Sequence, residues 1–456
     1  MYKKILIASL ALLAGLASCK KDDPTPSPNP PSTLTIDGVA STLEFYQLDT
    51  AHLSVAGVAK DAAAKAVWAV NGAKAAEGVT FDFTTAHPGK YEVTLTVDGK
   101  SAKHTYTVAP RFSEGAFLLN EGNFGNETGS LTYIHPSKKL VIDQAYYRVN
   151  GTKLGNVCQD LAFGNDQVYI LSQLGPKNGG EGLLTIASSN TLEKVKVYND
   201  EALAQSTPTH IAVLRDHIYI RTERDGILRG SSEGGFTPIT GTKKALKQRM
   251  AQIGERLFAL TSDNKVLMIQ GTQVVRELDL SPAKPSGIAV SHDGKLWVST
   301  TSPNAILKVD PTPDNFVALD THILDKSISA TGSQSWERTT SSAFFAHGDK
   351  LYFTGQSSVI YCHDFATSKT SQVIDVKTID GVGTSANMYY NSLGADPATG
   401  ELYYAAFEDF STYNKKNVTM VLKADGTKLL LKEQVNSFPA GFYFIPNAAN
   451  RTGANR

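Results

Sequence analysis

Residues 286–300 read SGIAVSHDGKLWVST: an apolar run, a tight polar turn His292-Asp293-Gly294-Lys295, and a second run carrying Trp297. Apolar strands flanking an Asp-Gly pair are the local signature of a β-hairpin. The unit recurs as QDLAFGNDQVYILSQ from Gln159, THIAVLRDHIYIRTE from Thr209 and QRMAQIGERLFALTS from Gln248. Further copies begin at Ser341 (SSAFFAHGDKLYFTG) and Asn391 (NSLGADPATGELYYAA). Each hairpin is followed by two more strands, as in NKVLMIQGTQVVREL. Four strands per roughly forty to fifty residues, repeated with turns at fixed places, are the blades of a β-propeller.

Two incomplete pieces set the blade count. GAFLLNEGNFGNETGSLTYIHPSKKLVI, residues 115–142, lacks a first strand, and FPAGFYFIP, residues 438–446, lacks a second. Joined, they make one blade closed by both ends of the repeat region. The expectation is an all-β chain whose residues 110–450 form a seven-bladed propeller, with ring closure removing the exposed edge strands that invite aggregation.

Ahead of the repeats, residues 34–109 alternate apolar and polar in short runs broken by Gly, Asn and Asp, which reads as a small β-sandwich centred on Trp68. HPGKYEVTLTV, residues 87–97, resembles the late hairpin of bacterial immunoglobulin-like and PKD modules. Residues 20–33 are Pro-rich and cannot form a core, so they are expected to be an extended tether. Residues 1–19 combine Lys3 and Lys4, the apolar run ILIASLALLAGLAS and Cys19, a secretion signal too short to span a bilayer. Leu16-Ala17-Ser18-Cys19 resembles a bacterial lipobox, in which the Cys19 thiol becomes the acylated N-terminus of the mature chain. The following Lys21, Asp22 and Asp23 resemble the export signal that carries Bacteroidetes lipoproteins to the outer face of the outer membrane. Two or more acyl chains anchor stably.

The 44 basic and 44 acidic residues cancel, so no overall field attracts nucleic acid. Beyond Cys19 the cysteines are Cys158, read in a polar loop, and Cys362, read in a strand. They can be buried thiols or a long-range disulfide. No Gly-x-Ser-x-Gly elbow, Walker loop or His-Glu-x-x-His is present, and His210, His217, His292 and His347 lie in or beside the repeated hairpins. A catalytic role is not expected. The enzymatic alternative is metal-dependent lactone or ester hydrolysis drawing on Asp160, Glu223, Glu337, Glu408 and Asp409.

The turns within the repeated hairpins are minimal, whereas the loops expected on the opposite face are long and rich in aromatics and arginine. Placed there are Asn123 and Phe124; Tyr146, Tyr147 and Arg148; Arg221 and Arg224; Trp336 and Arg338; Tyr389 and Tyr390; and Phe407, Phe410 and Tyr413. Rigid aromatic area combined with amide and guanidinium donors suits a bulky, partly flat, polar-edged ligand.

The stretch FLLNEGNFGNETGSLTYI, residues 117–134, resembles the opening of a propeller family found on Bacteroidetes surface lipoproteins, often described as YncE-like. Its best understood members are the BtuG-type lipoproteins. The resemblance implies capture of cobalamin or another corrinoid as a transported ligand rather than a required cofactor, and delivery to a TonB-dependent outer-membrane transporter. Another macrocycle, a glycan or a protein partner in an adhesive or scaffolding role stays open as the alternative.

Overall fold

In the computed structural model, residues 33–39, 44–328, 343–355, 357–382, 387–407, 417–434 and 438–446 are described. The signal segment, Cys19 and the tether up to Ser32 lie outside the described residues. The described residues divide into two compact units, one made of 33–39, 51–83 and 91–105, the other of 44–50, 84–90 and those described from 106 to 446.

The N-terminal strands make two sheets. One pairs Thr35–Asp37, Thr50–Ala56 and Thr80–Thr84; the other orders Phe45–Tyr46, Lys100–Ala109, Gly89–Val97, Val67–Val70 and Ala73–Glu77. Trp68 is fully buried among these strands, and its indole N–H donates to the Gly78 carbonyl at 2.9 Å.

The larger unit is a series of four-stranded antiparallel sheets, seven among the described residues. Sheet 1 holds Ala116–Asn120, Ser130–His135 and Leu140–Ile142, completed by the C-terminal strand Pro439–Phe444, which pairs with Ala116–Asn120. Sheets 2 to 7 follow in chain order, beginning with Asn156–Gly164, Pro208–Leu214, Ala251–Ile253, Pro285–Val290, Phe344–His347 and Asn387–Ala395. The hairpins are built as their sequences demand: in sheet 2 the turn residues Asn165 and Asp166 both take positive φ (52° and 56°), the geometry that matches strand twist.

The inner strands of each sheet bury apolar side chains on both faces, so the sheets stack face to face. Each successive pair shares one apolar cluster. Phe117, Tyr133 and Ile170 join sheets 1 and 2; Tyr169 and Ile211 join 2 and 3; Tyr219 and Leu267 join 3 and 4. Phe258 and Val298 join 4 and 5, Trp297 and Phe344 join 5 and 6, and Tyr352 and Tyr404 join 6 and 7. Tyr403 and Leu118 bring sheet 7 back to sheet 1. This is β-propeller architecture. Cys158 proves to be strand rather than loop, and Cys158 and Cys362 are free thiols.

Candidate functional site

The antiparallel registers sort the loops onto two sides. Asn120 pairs with both Ser130 and Pro439, so the 121–129 loop leaves sheet 1 on the side where the C-terminal strand begins. The connection from sheet 1 to sheet 2 and the loop after Gly175 lie on this side too, because Asn156 pairs with Gly175.

The 121–129 loop is pinned rather than free. The Asn123 side-chain oxygen accepts the Gly125 N–H at 2.7 Å, an Asx turn that folds the loop on itself. The Asn156 amide donates to the Asn123 carbonyl at 3.0 Å and also to the Glu127 carbonyl. Cys158 N–H donates to Glu121 O at 3.0 Å, and Gly129 N–H to Gly155 O at 2.9 Å. Gly129 has no alternative: a Cβ there would sit 2.3 Å from the Cys158 sulfur. This scaffold presents Phe124 to solvent at 66% exposure, with the Lys177 ammonium 3.5 Å from the ring centroid and the Asn178 amide donating to Phe124 O at 3.3 Å.

Beside it, the stretch expected as loop contains a short helix, Ala145–Asn150. Tyr146 and Val149, three residues apart, point into the core, while Tyr147 and Arg148 point out. Tyr147 is 46% exposed. Arg148 donates through Nε to Asp143 O at 2.8 Å. Between helix and loop lies a cavity of about 340 Å³, walled by residues 126–132 together with 143, 144, Tyr146, Tyr147, 153 and 154. Glu127 and Asp143 supply its carboxylates. Burial raises the Asp143 pKa, and Thr132 Oγ1 donates to that carboxylate at 3.1 Å.

The structure therefore gathers Asn123, Phe124, Tyr147 and Arg148 at one lip and assigns other work to the rest. Tyr146 is 1% exposed; its ring packs in the core and its hydroxyl donates to Glu181 at 2.9 Å, so it supports the lip while lining the inner wall of the cavity. Arg221, 9% exposed, turns inward to donate to the Ala245 carbonyl (3.2 and 3.0 Å) and Thr209 Oγ1 (3.1 Å). Burial pulls its pKa down to about 10. Arg224 is exposed on the turn that follows. Tyr389 and Tyr390 fall within strand Asn387–Ala395, in the register shift between Met388 and Leu393, and Phe407 ends strand Leu402–Phe407, where it pairs with Asn387. Trp336, Arg338, Phe410 and Tyr413, like Glu337, Glu408 and Asp409, lie outside the described residues. Neither Lys177 nor Asn178 was singled out from the sequence; a cation two residues past the end of strand Gln167–Gly175 was the available signal.

Behind the lip, the starts of the first strands form a polar centre. The Gln159 amide donates to Glu121 at 3.0 Å, and Lys247 lies 3.4 Å from Glu223. Asp160, weighed as a metal ligand, accepts from Tyr443 OH at 2.6 Å and Ile211 N–H at 2.9 Å, with Arg249 Nε at 3.4 Å.

Residues 114–446 match the family described as Domain of unknown function (DUF5074). The chain belongs to that family. No curated protein matches the sequence. Among solved structures, the chain is similar to a quinonprotein alcohol dehydrogenase-like protein from Bacteroides thetaiotaomicron, at 15% identity and a TM-score of 0.58, covering 90% of this chain and 98% of that one. It is also similar to virginiamycin B lyase from Staphylococcus aureus (14%, TM-score 0.42, covering 63% and 90%). The WD40 β-propeller domain of Doa1 is a third (11%, TM-score 0.41, covering 62% and 84%). At these identities the likeness to the Bacteroides protein speaks to the fold alone.

Proposed function

We propose that this DUF5074 protein is a cell-surface lipoprotein that captures a bulky, polar-edged nutrient, a corrinoid of the cobalamin type, and passes it to a TonB-dependent outer-membrane transporter. In this reading Cys19 carries the lipid anchor, residues 20–33 are the tether, the N-terminal sheets are an immunoglobulin-like stalk, and the seven sheets are the blades of one closed ring. The observation that carries it is the lip: two exposed aromatics, Phe124 and Tyr147, held on a hydrogen-bonded scaffold beside a 340 Å³ cavity with amide, carboxylate and ammonium groups at its edge. Stacking supplies area, and the polar rim fixes orientation. The role is binding, with no chemistry on the ligand.

Calorimetric titration of the mature chain, carrying Cys19→Ser to keep it soluble, with cyanocobalamin and cobinamide tests the reading. Saturable binding at micromolar concentration supports it. Absence of heat with both corrinoids sinks it and leaves a glycan or protein ligand at the same lip.

A further inference from the structure

The opposite side of the propeller unit carries a second cavity, and its chemistry differs from that of the lip. Sheets 3 and 4 end there in hairpin turns: Leu214 pairs with His217, Ile253 with Arg256, and Gln270 with Gln273. Between these turns lies a groove of about 360 Å³. Its floor is the ring of Tyr219, 3% exposed, whose hydroxyl donates to Gly271 O at 3.1 Å and so ties the turn of sheet 4 to sheet 3. The walls are tight hairpin turns held by the paired strands on either side.

Charge is unevenly distributed over this groove. Arg215, Arg229 and His217 line it against a single acid, Glu255, which pairs with Arg215. Arg229 sits in the middle of strand Gly226–Ser231, opposite Tyr219 on one side and Thr237 on the other. Its Nε is buried and has no hydrogen-bond partner. A guanidinium presents five N–H donors in a planar fork that matches an oxyanion, and a buried donor left unpaired costs free energy that a bound acceptor recovers. Gln252 and Gln270 add amides that suit hydroxyls.

We propose that this groove binds a small acidic sugar-sized molecule, with Arg229 and Arg215 taking its acid group and Gln252 and Gln270 its hydroxyl edge. The cavity is within the size range of small-molecule sites, and one acid against two arginines leaves it net positive. The site is independent of the lip and of whatever the lip captures.

Glucuronate and glucose 6-phosphate, with glucose as the neutral control, are titrated into the folded chain by calorimetry. Saturable binding of at least one anion and none of glucose is expected; no binding of either anion at 10-millimolar order, or equal binding of glucose, overturns the proposal. Arg229→Lys keeps the charge but loses the fork and should weaken the anion by about tenfold, with the thermal transition kept. Glu255→Gln removes the acid that competes for Arg215 and should tighten it several-fold, a gain that misfolding cannot produce. Unchanged affinity in Arg229→Lys, or unchanged or weaker affinity in Glu255→Gln, overturns the assignment.

Discussion

Asp160 and Tyr443 lie 283 residues apart and share a 2.6 Å hydrogen bond. Asp160 is in the first strand of sheet 2 and Tyr443 in the C-terminal strand that completes sheet 1. The Arg249 guanidinium lies 4.1 Å from the Tyr443 ring centroid with its Nε 3.4 Å from the same carboxylate, and Ile211 N–H of sheet 3 binds the other oxygen. One carboxylate thus ties three sheets, including the one that both ends of the repeat region build, and the segment leading into the fourth.

Removing that carboxylate should cost more than removing its partner. Asp160→Ala leaves Arg249 beside an emptied, buried site and is expected to destabilise the propeller unit by about 3–5 kcal/mol. Tyr443→Phe deletes one hydrogen bond and should cost about 1 kcal/mol. Urea denaturation of both variants measures the gap. Equal losses would mean that Asp160 and Arg249 are not coupled as the geometry requires.

Little of this centre was legible in the sequence, although most of the frame was. The hairpin at 286–300 falls on strands Pro285–Val290 and Leu296–Thr301, and FPAGFYFIP pairs with AFLLN as its missing neighbour. Those features are local or complementary, so period and turn chemistry carry them. Asp160, Arg249 and Tyr443 have no pattern in common; only the stacking of the sheets brings them together. Arg221 was misread for a related reason: a guanidinium at a strand end looks like a ligand donor until the segment leading into sheet 4 offers the Ala245 carbonyl. The helix at Ala145–Asn150 is six residues long, too short for a 3.6-residue period to stand out from a loop rich in tyrosine.

His210 makes acid sensitivity a measurable property of the same centre. The ring is fully buried at the start of sheet 3, and burial, with Arg221, Lys247 and Arg249 nearby, holds its pKa well below the ordinary value. In the unfolded chain it binds a proton near pH 6.5. The folded pKa is depressed, so this contribution is intact above about pH 6.5 and is lost as pH falls, by about 1.4 kcal/mol per pH unit. Unfolding midpoints between pH 7 and 5 should slope accordingly, and His210→Leu should flatten that component. An equal slope in the variant would place the sensitivity elsewhere.

The two described cysteines should resist alkylation. Burial pushes the Cys362 thiol up to about 11 and raises Cys158 as well, with Glu121 adding to the latter. Two pH units above an ordinary thiol mean roughly a hundredfold less thiolate at a given pH. Peptide mapping after iodoacetamide at pH 8 should show Cys362 modified far more slowly in folded than in denatured protein. Comparable rates would show that the strand opens readily.

The lip separates presentation from support, and paired variants can show it. Phe124→Ala and Tyr147→Ala remove exposed rings and should weaken ligand capture by about tenfold each with little change in the melting temperature. Lys177→Met removes the cation over Phe124 and should have a smaller effect on both. Gly129→Ala acts differently. Its Cβ would meet Cys158 at 2.3 Å from sulfur and 2.6 Å from Cβ, so the loop must lift from the start of sheet 2. It should lose stability and affinity together, because Phe124 is carried on the displaced segment. Calorimetric affinity and thermal melting on the four variants distinguish the cases. A Phe124→Ala protein that binds normally would move the capture site away from this lip, whatever Gly129→Ala does to the fold.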